Sequence, residues 1–171
     1  MARFALDEDF PDTIIEALGL GVPEAALVPI RHIDSGLRRM DDWELLLSLH
    51  HLQEWDGLIT TDSRMLNLPR ELAVLHQTNL TLVVVQEAGH DPIRAAGLLL
   101  VHLPTICRKT VRSTAQIWKL SAQNKNHEDP WRELIRIAGH RKMNVNQLFH
   151  DHKLSARVMR RNPLQERFTT S

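Results

Sequence analysis

The stretch Leu80-Thr-Leu-Val-Val-Val85 constrains the fold of this chain more than any other. It is short, almost wholly apolar and rich in β-branched valine, which is typical of a strand that is buried on both faces of a parallel sheet. Parallel strands need crossover connections, and these are usually helices that cover the sheet. The stretch therefore predicts an α/β fold.

Three other segments have the composition of strands, and segments with a helical spacing of apolar residues separate them. The predicted strands are Arg3–Leu6, Ala26–Ile33, in which Pro29 weakens the prediction, and Gly57–Thr61. The predicted helices run from Pro11 to Gly21, from Asp41 to Trp55, and from Pro92 to Cys107 with Asp91 as N-cap. Four strands that alternate with helices predict a mainly parallel sheet.

The charge changes sign along the chain, although its 171 residues carry 21 basic and 21 acidic side chains. Residues 1–107 hold 7 Arg, no Lys and 16 acidic residues, a net charge of −9, so the remaining residues carry +9. Either the two parts attract each other, or an acidic metal site lies beside a basic arm for a polyanion. We divide the chain here into a domain, residues 1–107, and a basic, mainly helical C-terminal extension, residues 108–171.

Within the extension, the polar stretch Ser121–Pro130 predicts an exposed linker. Helical spacing of apolar residues predicts two short helices, Trp131–Ala138 and Val145–His152. The polar, Arg-rich tail that follows is expected to be mobile.

Several kinds of protein are disfavoured by the sequence. The lone Cys107 excludes an internal disulfide framework and paired-cysteine zinc sites. The ten histidines include His50-His51 and His150-Asp-His152, but none of these has the i, i+4 spacing of a helical zinc site. The first residues resemble no secretory signal, and no apolar run is long enough for a membrane span. We expect a cytoplasmic protein without membrane association.

Three aspartates fall where a doubly wound fold would bring them together. Asp7 follows the first strand, Asp62 follows the strand Gly57–Thr61, and Asp42 begins the strongest helix. Ligands in such folds gather at the carboxyl ends of the strands. Each aspartate also has an ordinary interpretation as a turn residue or helix cap, but clustered carboxylates favour a hard cation such as Mg²⁺ or Mn²⁺.

Asp42 has two acidic neighbours, and helix spacing separates their roles. Asp41 and Glu44 stand three apart, which is the spacing of a capping box. Asp42 lies one turn before Leu45 and Leu46, on the face expected to pack on the sheet. We assign Asp42 to the site, and Asp41 with Glu44 to capping.

The chain resembles the PIN-like domains over about residues 3–107. FALDEDFP, residues 4–11, is similar to the opening of one branch, a strand followed by Asp-Glu-Asn and a proline. The stretch VPIRHIDSGLRRMDDWELLLSLHHLQEWDGLITTDSRML, residues 28–66, is similar to the family's second strand, Gly-containing loop, acid-led helix and Thr-x-Asp-ended strand. Two positions depart from the pattern, since Asp9 replaces the usual Asn and Met65 stands where an aromatic residue is frequent.

The resemblance implies a three-layer α/β/α fold and a ribonuclease that uses Mg²⁺ or Mn²⁺ to hydrolyse RNA phosphodiesters. It implies Asp7, Asp42 and Asp62 as catalytic and metal-binding residues, with Thr60 and Thr61 near the polar residue that precedes the last acid. The family's fourth acid has no obvious match, and Glu8, Asp9 and Glu44 are the candidates for it. Many relatives are toxins of toxin–antitoxin pairs, usually dimeric and silenced by a partner protein, so the resemblance also implies an antitoxin and a homodimer.

The extension carries a set of basic residues that could bind RNA phosphates through charge and counterion release. Arg132 and Arg136 share one helix face, four residues apart. The candidates for RNA binding are Arg132, Arg136, Arg141, Lys142, Arg160 and Arg161. An acidic antitoxin would fit the same surface, and both alternatives remain open.

Two competing functions are open. Asp7-Glu-Asp9 also resembles the Asp-x-Asp opening of haloacid dehalogenase-type phosphatases, in which Asp7 would be the nucleophile. That family needs a later lysine and an acidic pair, but residues 1–107 contain no Lys and no Asp-Asp follows Val85. The other alternative is a PIN-like scaffold without catalysis, which the presence of all three matching acids argues against.

Overall fold

The structure, a computed structural model, describes residues 1–8, 10–88, 91–123 and 125–168. These residues form a six-stranded sheet with helices on both of its faces. The strands are β1 (Ala2–Leu6), β2 (Ala25–Pro29), β3 (Gly57–Thr60), β4 (Thr81–Val85), β5 (Gln116–Leu120) and β6 (Lys125–Glu128). The helices are α1 (Asp12–Gly21), α2 (Ile30–Ile33), α3 (Asp42–Leu52), α4 (Pro69–Thr78), α5 (Pro92–Lys109), α6 (Pro130–His140), α7 (Val145–His152), α8 (Ala156–Met159) and α9 (Pro163–Phe168).

The strand order is β2-β1-β3-β4-β5-β6. Strands β1 to β5 are parallel, and β6 pairs antiparallel with β5 at one edge. Strands β3 and β4 lie so close together at Gly57 that an added Cβ would be 1.8 Å from the carbonyl oxygen of Thr81. A glycine is therefore required where β3 begins.

The two faces of the sheet bury separate apolar clusters because successive side chains of a strand point to opposite faces. In β4, Leu82 and Val84 pack with the helices α3, α4, α6 and α7. Val83 and Val85 lie in the other cluster, which α1 and α5 cover. The predicted α/β class is thus observed, with helices on both faces of the sheet. The predicted strands Arg3–Leu6, Gly57–Thr61 and Leu80–Val85 are confirmed as β1, β3 and β4, which are parallel.

The prediction of a strand over Ala26–Ile33 is wrong in its second half. The strand ends at Pro29, and the next four residues, Ile30–Ile33, form the short helix α2. Proline has no N–H to continue the ladder, and its extended backbone leads directly into the helix as the N-cap. Pro29 therefore divides an apolar run that composition alone assigns to one strand.

The prediction of an exposed linker over Ser121–Pro130 is wrong in part, because the described residues of this segment are mostly exposed but include a strand. Residues 125–128 form β6, and the preceding strand β5, which pairs with β4, was not predicted. The Trp118 ring stacks on His127 across the hairpin, with ring centroids 4.2 Å apart. The mostly exposed strand β6 is thus held on β5 in part by a cross-strand pair that local composition does not reveal.

The division after Cys107 falls inside α5, which continues to Lys109. The segment beyond it contributes β5 and β6 to the sheet before it becomes helical. The predicted helices of this segment are confirmed as α6 and α7, although α6 continues past Gly139. Within the described part of the chain, no helix combines the length and apolar character that a membrane span requires.

Candidate active site

Asp7 and Asp62 lie at the carboxyl ends of neighbouring parallel strands, and Thr60 connects them. Asp7 follows β1, and its N–H donates to the carbonyl oxygen of Ile59 in β3 at 3.0 Å. The buried Thr60 hydroxyl donates to Oδ2 of Asp7 at 2.7 Å and accepts the backbone N–H of Asp62 at 3.0 Å. One side chain therefore fixes both the Asp7 carboxylate and the backbone that presents Asp62.

Asp62 is paired with Arg64 two residues later. Oδ1 of Asp62 accepts the Arg64 backbone N–H at 2.8 Å, which starts a 3-10 helix over Ser63–Asn67. The Arg64 guanidinium donates from Nε to both carboxylate oxygens, at 2.9 and 3.0 Å, and from Nη2 to Oδ2 at 2.5 Å. These hydrogen bonds hold the pKa of Asp62 below its ordinary value.

Asp42 is the first residue of α3 and is half-buried. Because α3 leads into β3, which runs parallel to β1, the start of α3 must lie at the carboxyl edge of the sheet. Burial raises the pKa of Asp42, and the negative charges of Asp7 and Asp62 raise it further. The structure therefore brings the three aspartates together, close enough for their charges to oppose one another.

The neighbouring acids have structural contacts. Asp41 is the N-cap of α3, and its backbone N–H donates to Oε2 of Glu44 at 3.2 Å, as expected for the return bond of a capping box. Glu8 is exposed and pairs with Arg38 at 2.5 Å. Thr61 is buried beside Thr60. Asp9, the remaining candidate for a fourth acid, lies outside the described residues.

An open cleft of about 600 Å³ adjoins Asp42 and Asp62 and contains an acid that the sequence analysis missed, Glu71. Glu71 is the third residue of α4. Burial raises its pKa, and the charges of Asp42 and Asp41 also raise it. The full lining consists of Asp41, Asp42, Trp43, Asp62, Arg64, Leu68, Arg70 and Glu71.

A signal for Glu71 is present in the sequence. Pro69 is followed two residues later by a glutamate, and proline at the first position of a helix is common. Because the helix α4 follows β3, its first turn lies at the carboxyl edge of the sheet, where Asp62 also lies. Recognition of α4 as a separate helix starting at Pro69 would have placed Glu71 among the candidates.

The basic candidates of the C-terminal segment lie on α6 and in the connections that follow α6 and α8. Arg136 is engaged in the fold, since it donates to Glu133 at 2.9 Å, to the Leu66 carbonyl oxygen at 3.1 Å and to Oδ1 of Asn67 at 2.9 Å. Arg161 pairs with Glu166 at 3.4 Å. The other four, Arg132, Arg141, Lys142 and Arg160, are exposed.

Comparisons with protein-family models, with curated proteins and with solved structures give no match to this chain. The α/β fold therefore stands on the sheet and helices described above. What bears on function is the chemistry of the site, together with the resemblance of the motifs.

The donor chemistry of the site suits a hard divalent cation. Its side chains are carboxylates, whose oxygens Mg²⁺ and Mn²⁺ prefer, and their mutual repulsion is the kind that a cation relieves. Among residues 1–8, 10–88, 91–123 and 125–168, no group of three or more His, Cys, Asp and Glu side chains is arranged to hold a metal ion. Arg64 now occupies both oxygens of Asp62, so a cation that binds there has to displace its guanidinium.

Proposed function

We propose that this protein is a metal-dependent endoribonuclease of the PIN-like family that hydrolyses RNA phosphodiesters with Mg²⁺ or Mn²⁺. The observation that carries the proposal is the convergence of Asp7, Asp42 and Asp62 from three separate segments, where burial and like charge raise the pKa of Asp42. The same three residues match the acids of the PIN-like motifs. Catalysis is favoured over a purely structural role because such repulsion lowers the stability of the fold without a cation.

Each residue of the site has a distinct role in this proposal. Asp7, Asp42 and Asp62 would hold the cation, which lowers the pKa of a bound water and stabilises charge on the phosphate. Thr60 holds Asp7 in place through its hydroxyl hydrogen bond. Glu71 lines the cleft one helix away and is our candidate for the fourth acid.

The biological setting belongs to the same proposal. The implied role is a toxin of a toxin–antitoxin pair, with an antitoxin protein as partner and a homodimer as assembly. The excess of basic residues after Cys107 would suit either an RNA strand or an acidic antitoxin. For a toxin, expression of the wild-type chain should arrest growth, and the Asp62→Asn chain should not.

The proposal is tested by incubating the purified protein with a labelled single-stranded RNA and Mg²⁺ or Mn²⁺. We expect cleavage that EDTA abolishes. Asp7→Asn and Asp62→Asn should lower the rate at least 100-fold while the far-ultraviolet circular dichroism spectrum stays unchanged. The matched control is Asp151→Asn, which removes an exposed carboxylate on α7 and should leave the rate unaltered.

Three outcomes would contradict the proposal in different ways. Cleavage that is equal in wild type and Asp62→Asn would remove the aspartates from the site. Turnover of a phosphate monoester with RNA left intact would favour the phosphatase alternative. A folded wild-type protein with no hydrolase activity on either substrate would favour a scaffold.

A further inference from the structure

The cleft beside the aspartates has a second wall, which is aromatic and basic rather than acidic. Trp43 follows Asp42 in α3, and Arg70 is the second residue of α4. The Arg70 guanidinium carbon lies 5.6 Å from the centroid of the Trp43 ring, within the range of a cation–π contact. Leu68, which is 40% exposed, extends this wall.

Arg64 adds an exposed guanidinium to the lining of the same cleft. Its side chain is 86% exposed and lines the cleft together with Trp43 and Arg70, while its guanidinium is paired with the Asp62 carboxylate. A guanidinium that is displaced from Asp62 by a cation keeps its fork of N–H donors, which matches phosphate oxygens. The cleft thus contains a phosphate-binding group next to a stacking surface.

The size of the cleft suits one nucleotide. Its volume of about 600 Å³ falls within the usual range of small-molecule sites. Aromatic rings and arginine planes are the surfaces on which proteins stack unpaired bases. A base inside a duplex is already stacked on its neighbours and cannot use such a wall.

We propose that this cleft binds one unpaired nucleotide of a single-stranded nucleic acid, with the base against Trp43 and Arg70 and a neighbouring phosphate at Arg64. This inference rests on the proposed function, because the aspartates next to the cleft repel a phosphate until a cation binds. It adds to that function the side chains that would hold the nucleotide, Trp43 and Arg70, which a base inside a duplex cannot reach. An acidic protein is a poorer ligand, because Asp41, Asp42, Asp62 and Glu71 line the same cleft.

The experiment measures binding of a fluorescently labelled RNA decamer by anisotropy, with Ca²⁺ as the cation, for wild type and four variants. Trp43→Leu removes the ring and should weaken binding about tenfold, in line with the usual contribution of one stacked base. Trp43→Phe keeps a ring and should bind within threefold of wild type. Arg70→Gln should also weaken binding several-fold, whereas Arg108→Gln, an exposed charge at the far end of α5, should have no effect.

The duplex formed by the same decamer and its complement provides the second comparison. It should bind more weakly than the single strand, and Trp43→Leu should not change its affinity. Because Trp43 is partly buried, the melting temperature of Trp43→Leu is measured to detect a folding defect. Arg70→Gln provides an independent variant, since it changes only an exposed side chain. The intrinsic fluorescence of the wild type should be quenched by the single strand, and Trp43→Phe should lose most of this quenching.

The outcomes separate the two proposals. If the wild type cleaves RNA but Trp43→Leu and Arg70→Gln leave affinity and KM unchanged, the nucleotide subsite is refuted and the nuclease stands. If the wild type does not cleave RNA but both variants weaken single-strand binding, the subsite stands and the nuclease assignment fails. Duplex binding as tight as single-strand binding and equally sensitive to Trp43→Leu would overturn the subsite.

Discussion

The folded protein disfavours the charged form of the Asp42 carboxyl group. The residue is half-buried, and the charges of Asp7 and Asp62 act on it from two strand ends. A carboxylate in that position lowers the stability of the metal-free protein, since its charged form is less favourable folded than unfolded. Stability lost at one residue is expected where the residue serves function.

Replacement of Asp42 by Asn should therefore stabilise the metal-free protein at pH 7. Because the side chain is half-exposed, we expect a gain of about 0.5 kcal/mol, which raises the Tm by roughly 1–2 °C. The pKa of Asp42 is raised in the fold, so its penalty is present above that pKa and disappears as the pH falls through it. The gain should thus shrink as the pH falls through the raised pKa toward the ordinary value of 3.8.

The neighbouring residue provides the control for this measurement by thermal unfolding in EDTA. Asp41 is the N-cap of α3, and Asp41→Ala should lower the free energy of unfolding by about 1 kcal/mol. A gain of stability in Asp42→Asn together with a loss in Asp41→Ala would show that Asp41 caps the helix and that Asp42 belongs to the site. A loss of stability in Asp42→Asn as large as that in Asp41→Ala would contradict the separation.

The grouping of Asp7, Asp42 and Asp62 at one edge is predictable from sequence, because strand ends and helix starts follow from local apolar patterns. The role of Thr60 is not, since its hydroxyl bridges two strands whose register the sequence does not give. Glu71 was missed because Pro69 was not recognised as the start of a helix, whose first turn lies at the same edge of the sheet as Asp62.

Among the elements, the hairpin β5–β6 and the helix α6 are joined by a buried ionic network. Lys119 of β5 pairs with Glu128 of β6 at 2.9 Å and with Glu133 of α6. Arg136 donates to Glu133 at 2.9 Å and continues to the Leu66 carbonyl oxygen. The network thus connects the C-terminal segment to the 3-10 helix that follows Asp62.

Replacement of Glu133 by Gln should lower the free energy of unfolding by about 2 kcal/mol, because it removes one of the two carboxylates that pair with the poorly exposed Lys119 ammonium. Burial alone would raise the pKa of Glu133, but its contact with Glu128 and the hydrogen bonds from Lys119 and Arg136 lower it to about 2. Its contribution is therefore present above about pH 4.5 and is lost as the pH falls toward 2.

Urea unfolding at several pH values tests this expectation. The difference between wild type and Glu133→Gln should be largest at neutral pH and decrease below about pH 4.5. The control is Glu54→Gln, which removes an exposed partner of Arg3 and should change stability by less than about 0.5 kcal/mol. A difference that stays constant down to pH 2.5 would assign the effect to packing rather than to charge.

Helices and strands with a strong pattern of apolar residues were predictable from the sequence. A strand whose formation depends on pairing with a neighbouring strand was not. The apolar strand β4, the leucine-rich helix α3 and the amphipathic helix α5 follow from their own residues. The polar β6 is a strand only because β5 lies beside it. Sequence composition therefore assigned the hairpin region to a linker.

At the scale of the whole molecule, the basic C-terminal segment is part of the fold. Strand β5 extends the parallel sheet, and α6 and α7 pack against α4. Leu134, Ile137 and Leu148 lie in the same apolar cluster as the residues of α3 and α4. Across the charge division, Arg112 pairs with the buried Asp56 at 2.6 Å, so attraction between the two parts is observed at one contact at least.

A chain that ends after residue 121 should therefore fail to fold cooperatively. It loses several buried side chains of the core, among them Leu134, Ile137 and Leu148, and exposes the face of α4 that they cover. We expect no sigmoidal thermal transition and rapid digestion by trypsin. A truncated protein with a cooperative transition and native circular dichroism would show that the segment is a separable extension.

The most direct test of the carboxylate site is Mn²⁺ binding, followed by the electron paramagnetic resonance signal of the free ion. We predict that the wild-type chain binds at least one Mn²⁺, that Asp7→Asn and Asp62→Asn each weaken the affinity tenfold or more, and that Asp151→Asn binds like wild type. Wild-type protein that binds no Mn²⁺, or that binds it with the same affinity as Asp7→Asn and Asp62→Asn, would contradict a metal site at this edge of the sheet.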